Sequence, residues 1–355
     1  MLKRSLRTAA LLGIALVLAF FATGCDQFMS SALIYLQQNP PNYDKAIATL
    51  NEGLTVVPGH GEYYSLLALC YYENRQYKES SAACDSAIKY LPEKKDSLAK
   101  VRNQEWTDLY VPAMNAANRI AKAPADSVQF FVDKAQKALD NAVAFMPDKD
   151  QNYMLRAFIL LKTGKDEEAK KVYTKVIEIN PKNTEAYIAL GYYAYNAGNY
   201  GQASELYKKA LEINPSDTLT YSRLGSSCFA EGKYGAAADA YRKAAVLDPT
   251  NRIYLLQWAT AIYNDNKNPA AAFEPLEKAA KLQEDEDVWN RIGMTAYRLS
   301  PPDYDRAMNA FEKAKAFNPT NVDYWKYLHD CYSAKKMKAE LKEADRKIKE
   351  LEKKK

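Results

Sequence analysis

The chain has 355 residues, of which 48% are hydrophobic and 26% are charged, a composition that excludes a largely disordered protein. Its formal net charge is +5 at pH 7, and Lys3, Arg4 and Arg7 supply three of the positive charges, which leaves about +2 on residues 25–355. So small a charge excludes the basic surface typical of nucleic-acid-binding proteins, and no nucleic-acid partner is expected.

The first 24 residues have the pattern of a bacterial export signal. A basic start is followed by an apolar run at residues 9–21, which is shorter than the roughly 20 residues that a membrane-spanning helix needs. Small residues at 22–24 then lead to Cys25, and this arrangement resembles the lipobox of bacterial lipoproteins. The resemblance implies cleavage before Cys25, with diacylglycerol on its sulfur and a third acyl chain on its new amino group. Two or three acyl chains anchor a protein stably in a membrane.

Two alternatives remain open for this segment: a plain signal peptide with an incidental cysteine, and a retained membrane helix. We expect the acylated form, with residues 1–24 cleaved and Cys25 as the lipidation site. Asp26 follows the cysteine, and in enterobacteria an Asp at that position tends to hold lipoproteins in the inner membrane. That rule does not transfer reliably to other lineages. The expected location is therefore the bacterial cell envelope, facing the periplasm, on either membrane.

The central part of the chain repeats with a period of 34 residues. Pro181, Pro215 and Pro249 have this spacing, and so do two further sets of residues, Tyr173, Tyr207 and Tyr241 and also Ala169, Ala203 and Ala237. The spacing, together with the order of aromatic, small and proline positions within residues 184–215, resembles the tetratricopeptide repeat. The resemblance implies an all-α fold: a right-handed superhelical solenoid of stacked antiparallel helix pairs, with about eight repeats and a C-terminal capping helix.

The repeated residues have clear physical roles in such helix pairs. Small residues such as Gly191 and Ala203 let the two helices of a pair approach closely. Pro215 ends the second helix because proline cannot continue the hydrogen-bond ladder, and Gly198 turns the chain between the two helices. One pair cannot bury its apolar face alone, so neighbouring pairs must stack.

The repeat can be followed along most of the chain, with one interruption. The distance from Pro92 to Pro147 is 55 residues, so about 21 residues are extra, and they predict an extended first helix with a break near Pro112. This stretch is either a contact element or a joint between two solenoid halves, and we favour the joint because long insertions are tolerated. The predicted order after the signal is N-terminal repeats at 25–94, the irregular repeat at 95–149, regular repeats at 150–319, and a last repeat helix with a charged capping helix at 320–355.

Two details of the C-terminal part also carry predictions. Pro275 lies inside a predicted second helix and should kink it. In the tail, apolar residues recur at helical spacing, which predicts that one side of the capping helix packs on the last repeat while Lys and Glu face water. These residues are Leu341, Ala344, Ile348 and Leu351.

No catalytic motif is visible: the chain has no phosphate-binding glycine loop, no H-E-x-x-H helix and no G-x-S-x-G elbow. The cysteines after residue 25 have no C-x-x-C spacing, and only His60 and His329 could add imidazole ligands, so no metal site is expected. Cys70 and Cys84 could form a disulfide, but we expect them to be small apolar core residues. The chain is therefore expected to be no enzyme and to need no cofactor or small-molecule substrate.

In tetratricopeptide arrays the first helix of each pair lines a concave groove, and this groove takes an extended peptide or a partner helix. The groove-facing positions include the second, fifth, ninth, twelfth and thirteenth of each repeat. Aromatic residues and methionine at the ninth and twelfth positions are our candidates for partner contact, because aromatic residues are enriched at binding hot spots. The candidates are Tyr72, Phe158, Tyr192, Tyr195, Phe229, Tyr263, Met294 and Tyr297.

Two further points bear on this groove. Polar residues at the thirteenth position would bond a peptide backbone or carboxylate, although they do not reproduce the carboxylate clamp of chaperone-binding members. These are Lys162, Asn196, Asn264 and Arg298. The alternative that the aromatic row supports helix packing stays open, because tyrosine is common at this position in the family.

Together these features predict a membrane-anchored protein–protein interaction scaffold of the bacterial cell envelope, which binds a peptide or protein partner in its groove. An accessory subunit of an envelope enzyme, or of a polysaccharide or protein export machine, is the alternative. A purely structural spacer is a third possibility. The partner, the pathway, the membrane and the oligomeric state do not follow from the sequence.

Overall fold

The structure is a computed structural model, and it describes residues 26–353. Over this range the chain forms 18 α-helices and three short 3-10 turns, and the described part contains no strand. The predicted all-α fold of stacked helix pairs is therefore confirmed. Cys25 and the signal segment before it lie outside the described residues.

The described residues divide into two compact units, and the first ends at Asn180. Unit 1 contains four helix pairs, each formed by helices that follow one another in the chain. The pairs are α1 (Gln27–Leu36) with α2 (Tyr43–Val56), α3 (Gly61–Glu73) with α4 (Tyr77–Tyr90), α5 (Lys95–Ile120) with α6 (Val128–Phe145), and α7 (Asp150–Lys162) with α8 (Asp166–Ile179).

Unit 2 begins at Pro181 and contains the regular repeats and the C-terminal helix. Its pairs are α9 (Thr184–Asn196) with α10 (Tyr200–Ile213), α11 (Thr218–Ala230) with α12 (Tyr234–Leu247), α13 (Arg252–Asp265) with α14 (Phe273–Leu282), α15 (Glu286–Tyr297) with α16 (Tyr304–Phe317), and α17 (Val322–Ala334) with α18 (Lys338–Glu352). The first nine of these helices enclose one continuous apolar core. Helix α18 covers its end as predicted, since Ala344 is fully buried and Leu341, Ile348 and Leu351 pack against the core.

Short polar and glycine segments fix where these helices start and stop. The side chains of Asn183 and Asp217 accept backbone N–H groups of the first turns of α9 and α11, which satisfies donors that have no partner inside a helix. Between the helices of a pair, Gly198 and Gly232 take left-handed backbone angles, with φ of 78° and 79°. Glycine reaches this region without steric cost, which explains the tight turns of the regular repeats.

Glycines inside the first helices set how closely two paired helices approach. A Cβ atom added to Gly191 or Gly225 would lie 2.7 Å from the ring of Tyr207 or Tyr241, respectively. Both rings belong to the second helix of the same pair and are buried. The repeated glycine and the repeated aromatic residue are therefore two halves of one contact, as the 34-residue spacing predicts.

We expect Gly225→Ala to lower the free energy of unfolding of unit 2 by about 1–3 kcal/mol, because the new methyl group would overlap a buried ring that has no room to move. Urea unfolding followed by circular dichroism measures this change. Gly235→Ala in α12 is the matched control. Its Cβ would lie 3.4 Å from the nearest atom, Oδ1 of Asp265, so this change should raise stability by about 0.5–1 kcal/mol. Equal losses in both variants would contradict the contact.

Three sequence predictions need correction. Helix α5 runs without a break from Lys95 to Ile120. Pro112 lies on its exposed side, where water can bond the carbonyl group that proline leaves without a donor. Pro275 does not kink a long helix, because it falls in the first turn of α14, where no N–H donor is required. The extended stretch at 95–149 lies within unit 1, and the division between the units falls one repeat later.

The cysteines of the described residues behave as small core residues. Cys70, Cys84, Cys228 and Cys331 are all free thiols, so the structure does not contain the Cys70–Cys84 disulfide that the sequence allowed. Burial raises the pKa of the Cys70 thiol to about 12 and that of Cys331 to about 11. A buried thiol with a raised pKa is a poor nucleophile, and these residues are accordingly structural.

Candidate functional site

The first helices of four consecutive pairs in unit 2, α9, α11, α13 and α15, carry most of the predicted contact residues. Polar side chains join these helices to one another. The Ser222 hydroxyl donates to Oε1 of Gln257 at 3.1 Å, which links α11 to α13. The Arg291 guanidinium donates to Thr260 Oγ1 at 2.8 Å, which links α15 to α13. Helices α11, α13 and α15 thus share one face, which we call the inner face. Helix α9 is the first helix of the preceding pair.

The aromatic residues at the twelfth position are only partly available on this face. Three of the four, Tyr195, Phe229 and Tyr297, pack edge-on against the aromatic residue that starts the second helix of their own pair. The ring centroids are 5.2 Å apart for Tyr195 and Tyr200, and 5.0 Å apart for Phe229 and Tyr234. The pair of Tyr297 and Tyr304 has the same edge-on geometry at 6.4 Å. These rings therefore stabilise the turns within their own helix pairs, and this role is independent of any contact with a partner.

Two members of the row are also held by neighbouring repeats. The Tyr297 hydroxyl donates to Asp330 Oδ2 at 2.7 Å, and this hydrogen bond, together with burial, raises the pKa of Tyr297 to about 12. The Arg298 guanidinium lies 5.2 Å from the ring centroid of Tyr263, within cation–π range. Met294 is half-buried and packs against the core. Among the predicted contact residues, only Tyr192 is largely exposed, with 55% of its surface accessible to water.

The remaining two candidates belong to unit 1. The Tyr72 hydroxyl donates to the Glu105 carbonyl oxygen at 3.0 Å, and its ring packs edge-on against Phe145 at 5.4 Å. The extended helix α5 therefore covers this tyrosine, which contributes to the packing of unit 1. Phe158 packs partly against the apolar cluster of α5 to α7, and the Lys162 ammonium lies 5.3 Å from its ring centroid.

A cavity of about 250 Å³ opens on the inner face between α11, α13 and α15. Its lining is mainly apolar and aromatic, with polar groups at one side. The lining residues are Phe229, Tyr241, Ile253, Leu256, Gln257, Thr260 and Arg291. Ile253 is 63% exposed, and Leu219, one repeat earlier at the same position, is 50% exposed. Exposed aliphatic residues around a cavity are a feature of binding surfaces.

The electrostatics of the cavity come from one arginine. Arg291 Nε lies 2.9 Å from both carboxylate oxygens of Asp287, one turn earlier in α15, while its Nη1 donates to Thr260. The guanidinium is therefore held in place at the cavity wall, with its charge largely offset. This arrangement suits hydrogen bonding to a neutral backbone carbonyl next to an apolar side chain, since Arg carries five donors in a fixed fork.

Of the seven lining residues, Phe229 alone is among the contact residues predicted from the sequence. The second and fifth positions were assigned to the groove, yet Ile253, Leu256 and Leu219 were not singled out. The sequence does contain a sign of this apolar surface. Aliphatic residues occupy the second position in two consecutive repeats, whereas the repeats before and after them have the acidic residues Glu185 and Asp287 at that position. Arg291 and Gln257 fall at the sixth position, which was not assigned to the face.

Comparison with protein-family models identifies the repeats. Models described as tetratricopeptide repeat match residues 32–95 and 188–252, residues 150–183 and residues 172–203. The chain contains tetratricopeptide repeats. These matches include α9 and, on the inner face, α11 and the start of α13. Curated proteins give no significant match to the chain.

Several solved structures of tetratricopeptide repeat proteins are similar to parts of the chain. The crystal structure of YrrB, described as a TPR protein with an unusual peptide-binding site, shares 23% identity, with 50% of this chain and 91% of that chain covered and a TM-score of 0.43. MamA shares 25% identity over 48% of this chain and 92% of its own, with a TM-score of 0.43. The C-terminal part of a TPR repeat-containing protein from Cytophaga hutchinsonii shares 18% identity over 85% of this chain and 99% of its own, also at 0.43.

Between residues 26 and 353, no helix combines the length and apolar character that crossing a membrane requires. Over the same range, no three His, Cys, Asp or Glu side chains are grouped so that they could hold a metal ion.

Proposed function

We propose that the chain is a lipid-anchored scaffold of the bacterial cell envelope, and that it binds an extended segment of a protein partner on the inner face of unit 2. Tetratricopeptide repeats support a protein–protein interaction scaffold. The observation that carries the proposal is the mainly apolar cavity, whose lining includes the exposed side chain of Ile253. Such residues lose contact with water when a partner covers them, at about 25 cal/mol per Å² of apolar surface.

The chemistry of the face favours a partner segment with a large apolar side chain. The cavity can take that side chain against Phe229 and Leu256, while Arg291 and Gln257 can donate hydrogen bonds to the adjacent backbone. The exposed ring of Tyr192 lies on the preceding first helix, α9, three residues before Tyr195, and offers a further apolar contact for the segment. A segment in extended conformation would reach several of these groups at once.

We expect Ile253→Asp to reduce capture of the partner from an envelope extract at least about tenfold, because it places a charge that must lose its hydration at the mouth of the cavity. Val246→Asp is the matched control. Val246 is exposed like Ile253 but lies in the last turn of α12, outside the cavity lining. Quantitative mass spectrometry of proteins captured by immobilised wild type and by each variant measures the effect.

Equal capture by wild type and Ile253→Asp would contradict the binding face. Loss of capture by both variants would indicate a general effect of surface charge instead. Identification of the captured protein also separates a scaffold from an accessory subunit of an envelope enzyme or export machine. Replacing Tyr195, Phe229 and Tyr263 together is a weaker test, because Tyr195 and Phe229 also stabilise the turns of their helix pairs and Tyr263 also contacts Arg298.

The anchor has a separate test. Cys25→Ser should abolish labelling by an azido fatty acid in cells and should move the protein from the membrane fraction to the soluble fraction, because two or three acyl chains supply the attachment. Cys84→Ser is the control, since Cys84 is a thiol of the repeat body and should leave both labelling and fractionation unchanged. Fatty-acid labelling of the Cys25→Ser variant would contradict the assignment of Cys25.

A further inference from the structure

The residue that follows the proposed acylation site is bonded directly into the first helix pairs. The Asp26 carboxylate accepts the backbone N–H of Met29 at 3.0 Å and so caps α1. It also accepts the Tyr63 hydroxyl at 2.5 Å, and one of its oxygens lies 3.9 Å from Nε2 of His60. Asp26 is therefore fixed to both α1 and the start of α3.

This attachment leaves no flexible linker between an acylated Cys25 and the folded body. Consecutive Cα atoms are about 3.8 Å apart, so the Cα atom of Cys25 lies within that distance of a residue that belongs to the fold. An acyl chain on Cys25 places its glycerol backbone at the membrane interface. The edge of unit 1 around Asp26 must then lie at the same interface.

This edge carries an exposed apolar surface next to Asp26. The last turn of α2 lies against the first turn of α1, since a Cβ atom on Gly53 would be 3.0 Å from Cβ of Phe28. Immediately after this contact the chain exposes Val56, Val57 and Pro58 before it reaches His60. Val56 is 64% exposed, and its Cα atom can be at most roughly 14 Å from that of His60 along four residues of chain.

An aromatic residue and several lysines continue the surface. Tyr90, at the end of α4, is exposed and lies beside the turn after α2, where a Cβ atom on Gly59 would be 3.0 Å from its ring. Lys89 and Lys95 are exposed, and the Lys89 ammonium lies 5.0 Å from the Tyr90 ring centroid. Lys94 pairs with Glu62 at 3.3 Å, and the acidic residues of this edge, Glu52 and Glu93, are also exposed.

We infer that the turn at residues 56–60, together with Tyr90, is the membrane-facing surface of unit 1 and rests in the headgroup region of the bilayer that holds the acyl chains. The inference rests on the proposed acylation of Cys25. Valine and proline side chains can enter the boundary of the acyl region, tyrosine is enriched at membrane interfaces, and lysines can extend toward the headgroups. The mixed charge of the edge indicates apolar contact, held by the short anchor, and not attraction to anionic lipid alone.

The test places an environment-sensitive dye at two matched positions of the full-length acylated protein in phosphatidylethanolamine–phosphatidylglycerol vesicles. Val56→Cys reports on the proposed surface. Val246→Cys is the control, since Val246 is 66% exposed and also lies in the last turn of a second helix, but in unit 2. Unsubstituted protein gives the labelling background, because acylation blocks Cys25 and the remaining thiols are at least partly buried. We expect quenching by aqueous iodide to be at least about threefold weaker at position 56 than at position 246.

The outcomes separate this inference from the anchor itself. Mass spectrometry that finds no acyl chain on Cys25 would contradict the proposed anchor and the inference with it. If the protein is acylated and vesicle-bound but iodide quenches the dye equally at positions 56 and 246, the inference alone is overturned. The apolar edge would then be a candidate surface for a protein partner instead of the membrane.

A second variant tests the role of the short connection. Ten Gly and Ser residues inserted between Cys25 and Asp26 would allow an average separation of about 17–19 Å. Iodide quenching at position 56 should then rise toward the value at position 246. Protection that survives the insertion would overturn the short connection as its cause.

Discussion

Phe311→Ala is expected to lower the free energy of unfolding of unit 2 by about 3–5 kcal/mol, because it removes a large, fully buried ring and leaves a cavity. The ring of Phe311 lies against Gly293 of α15, where a Cβ atom would be 2.7 Å away. It also stacks on Tyr327 of α17, with ring centroids 4.8 Å apart. No neighbouring side chain can fill the gap at a glycine, so the cavity should persist. Urea unfolding followed by circular dichroism measures the loss.

The same helix supplies the control. Phe317 lies in the last turn of α16 and is largely exposed, so Phe317→Ala should change stability by no more than about 0.5 kcal/mol. The two variants make the same chemical change on one helix and differ only in burial. A loss of under 1 kcal/mol for Phe311→Ala, or similar losses for both variants, would show that the stacking of the last repeats does not depend on this ring.

The 34-residue period was enough to predict the fold, because it reflects a helix–helix contact that recurs in the regular repeats. Gly225 is present where a ring from the second helix approaches, and the same contact recurs at Gly191 and Gly293. Glycine at the turn, as at Gly198, marks the one backbone position that needs a positive φ. These requirements are local and recur from repeat to repeat, although one pair has Ala259 at the contact and Asn266 at the turn. They can therefore be read from spacing alone.

The inner face was only partly predictable, because its residues serve both the packing of the helix pairs and the lining of the cavity. Tyr195 and Phe229 recur at the same position since they pack against the start of the second helix, and this structural role gives the stronger spacing signal. The cavity needs side chains from four helices, α11, α12, α13 and α15, which belong to three consecutive repeats. One lining residue, Arg291, is held by Asp287 of its own helix and by Thr260 of the preceding repeat, and no single repeat contains that information.

The irregular repeat illustrates the same limit. The longer interval between prolines shows that this repeat has extra residues. It does not show where those residues lie in the fold. Helix α5 lies over Tyr72, since the Tyr72 hydroxyl donates to the Glu105 carbonyl oxygen. Whether inserted residues extend a helix or form a loop depends on the tertiary contacts they find. Here Trp106 supplies one such contact, since its indole N–H donates to Asn152 Oδ1 of α7 at 3.0 Å.

Helix α5 also buries a carboxyl group in unfavourable surroundings. Burial raises the pKa of Glu105 to about 8, and the negative charges of Glu73 and Asp108 add to the effect. Arg102 acts in the opposite direction but is engaged elsewhere, since it donates to Asp85 at 2.5 Å and to the Ser81 hydroxyl at 2.7 Å. The folded state therefore favours the protonated form of Glu105 at a pH where the unfolded chain carries the charge.

The sign of the resulting pH dependence is fixed by this difference. The unfolded carboxyl titrates at about 4.5 and the folded one at about 8, so the folded state binds more protons between these values and stability falls as the pH rises through the window. Glu105→Gln removes the titration and keeps the shape of the side chain. We expect the variant to match wild type near pH 4.5 and to be more stable by about 2–4 kcal/mol at pH 8.5, measured by urea unfolding of unit 1.

Glu93→Gln is the control for this pH dependence, since Glu93 is exposed in the turn before α5 and undergoes the same chemical change away from the buried cluster. The stability difference between Glu93→Gln and wild type should stay within about 0.5 kcal/mol across the range. A Glu105→Gln variant that shows the same small, constant difference would mean that the carboxylate reaches water in the folded state. The helix that covers Tyr72 would then have to be loose at this point, and α5 would be a mobile arm of unit 1 instead of part of its packed core.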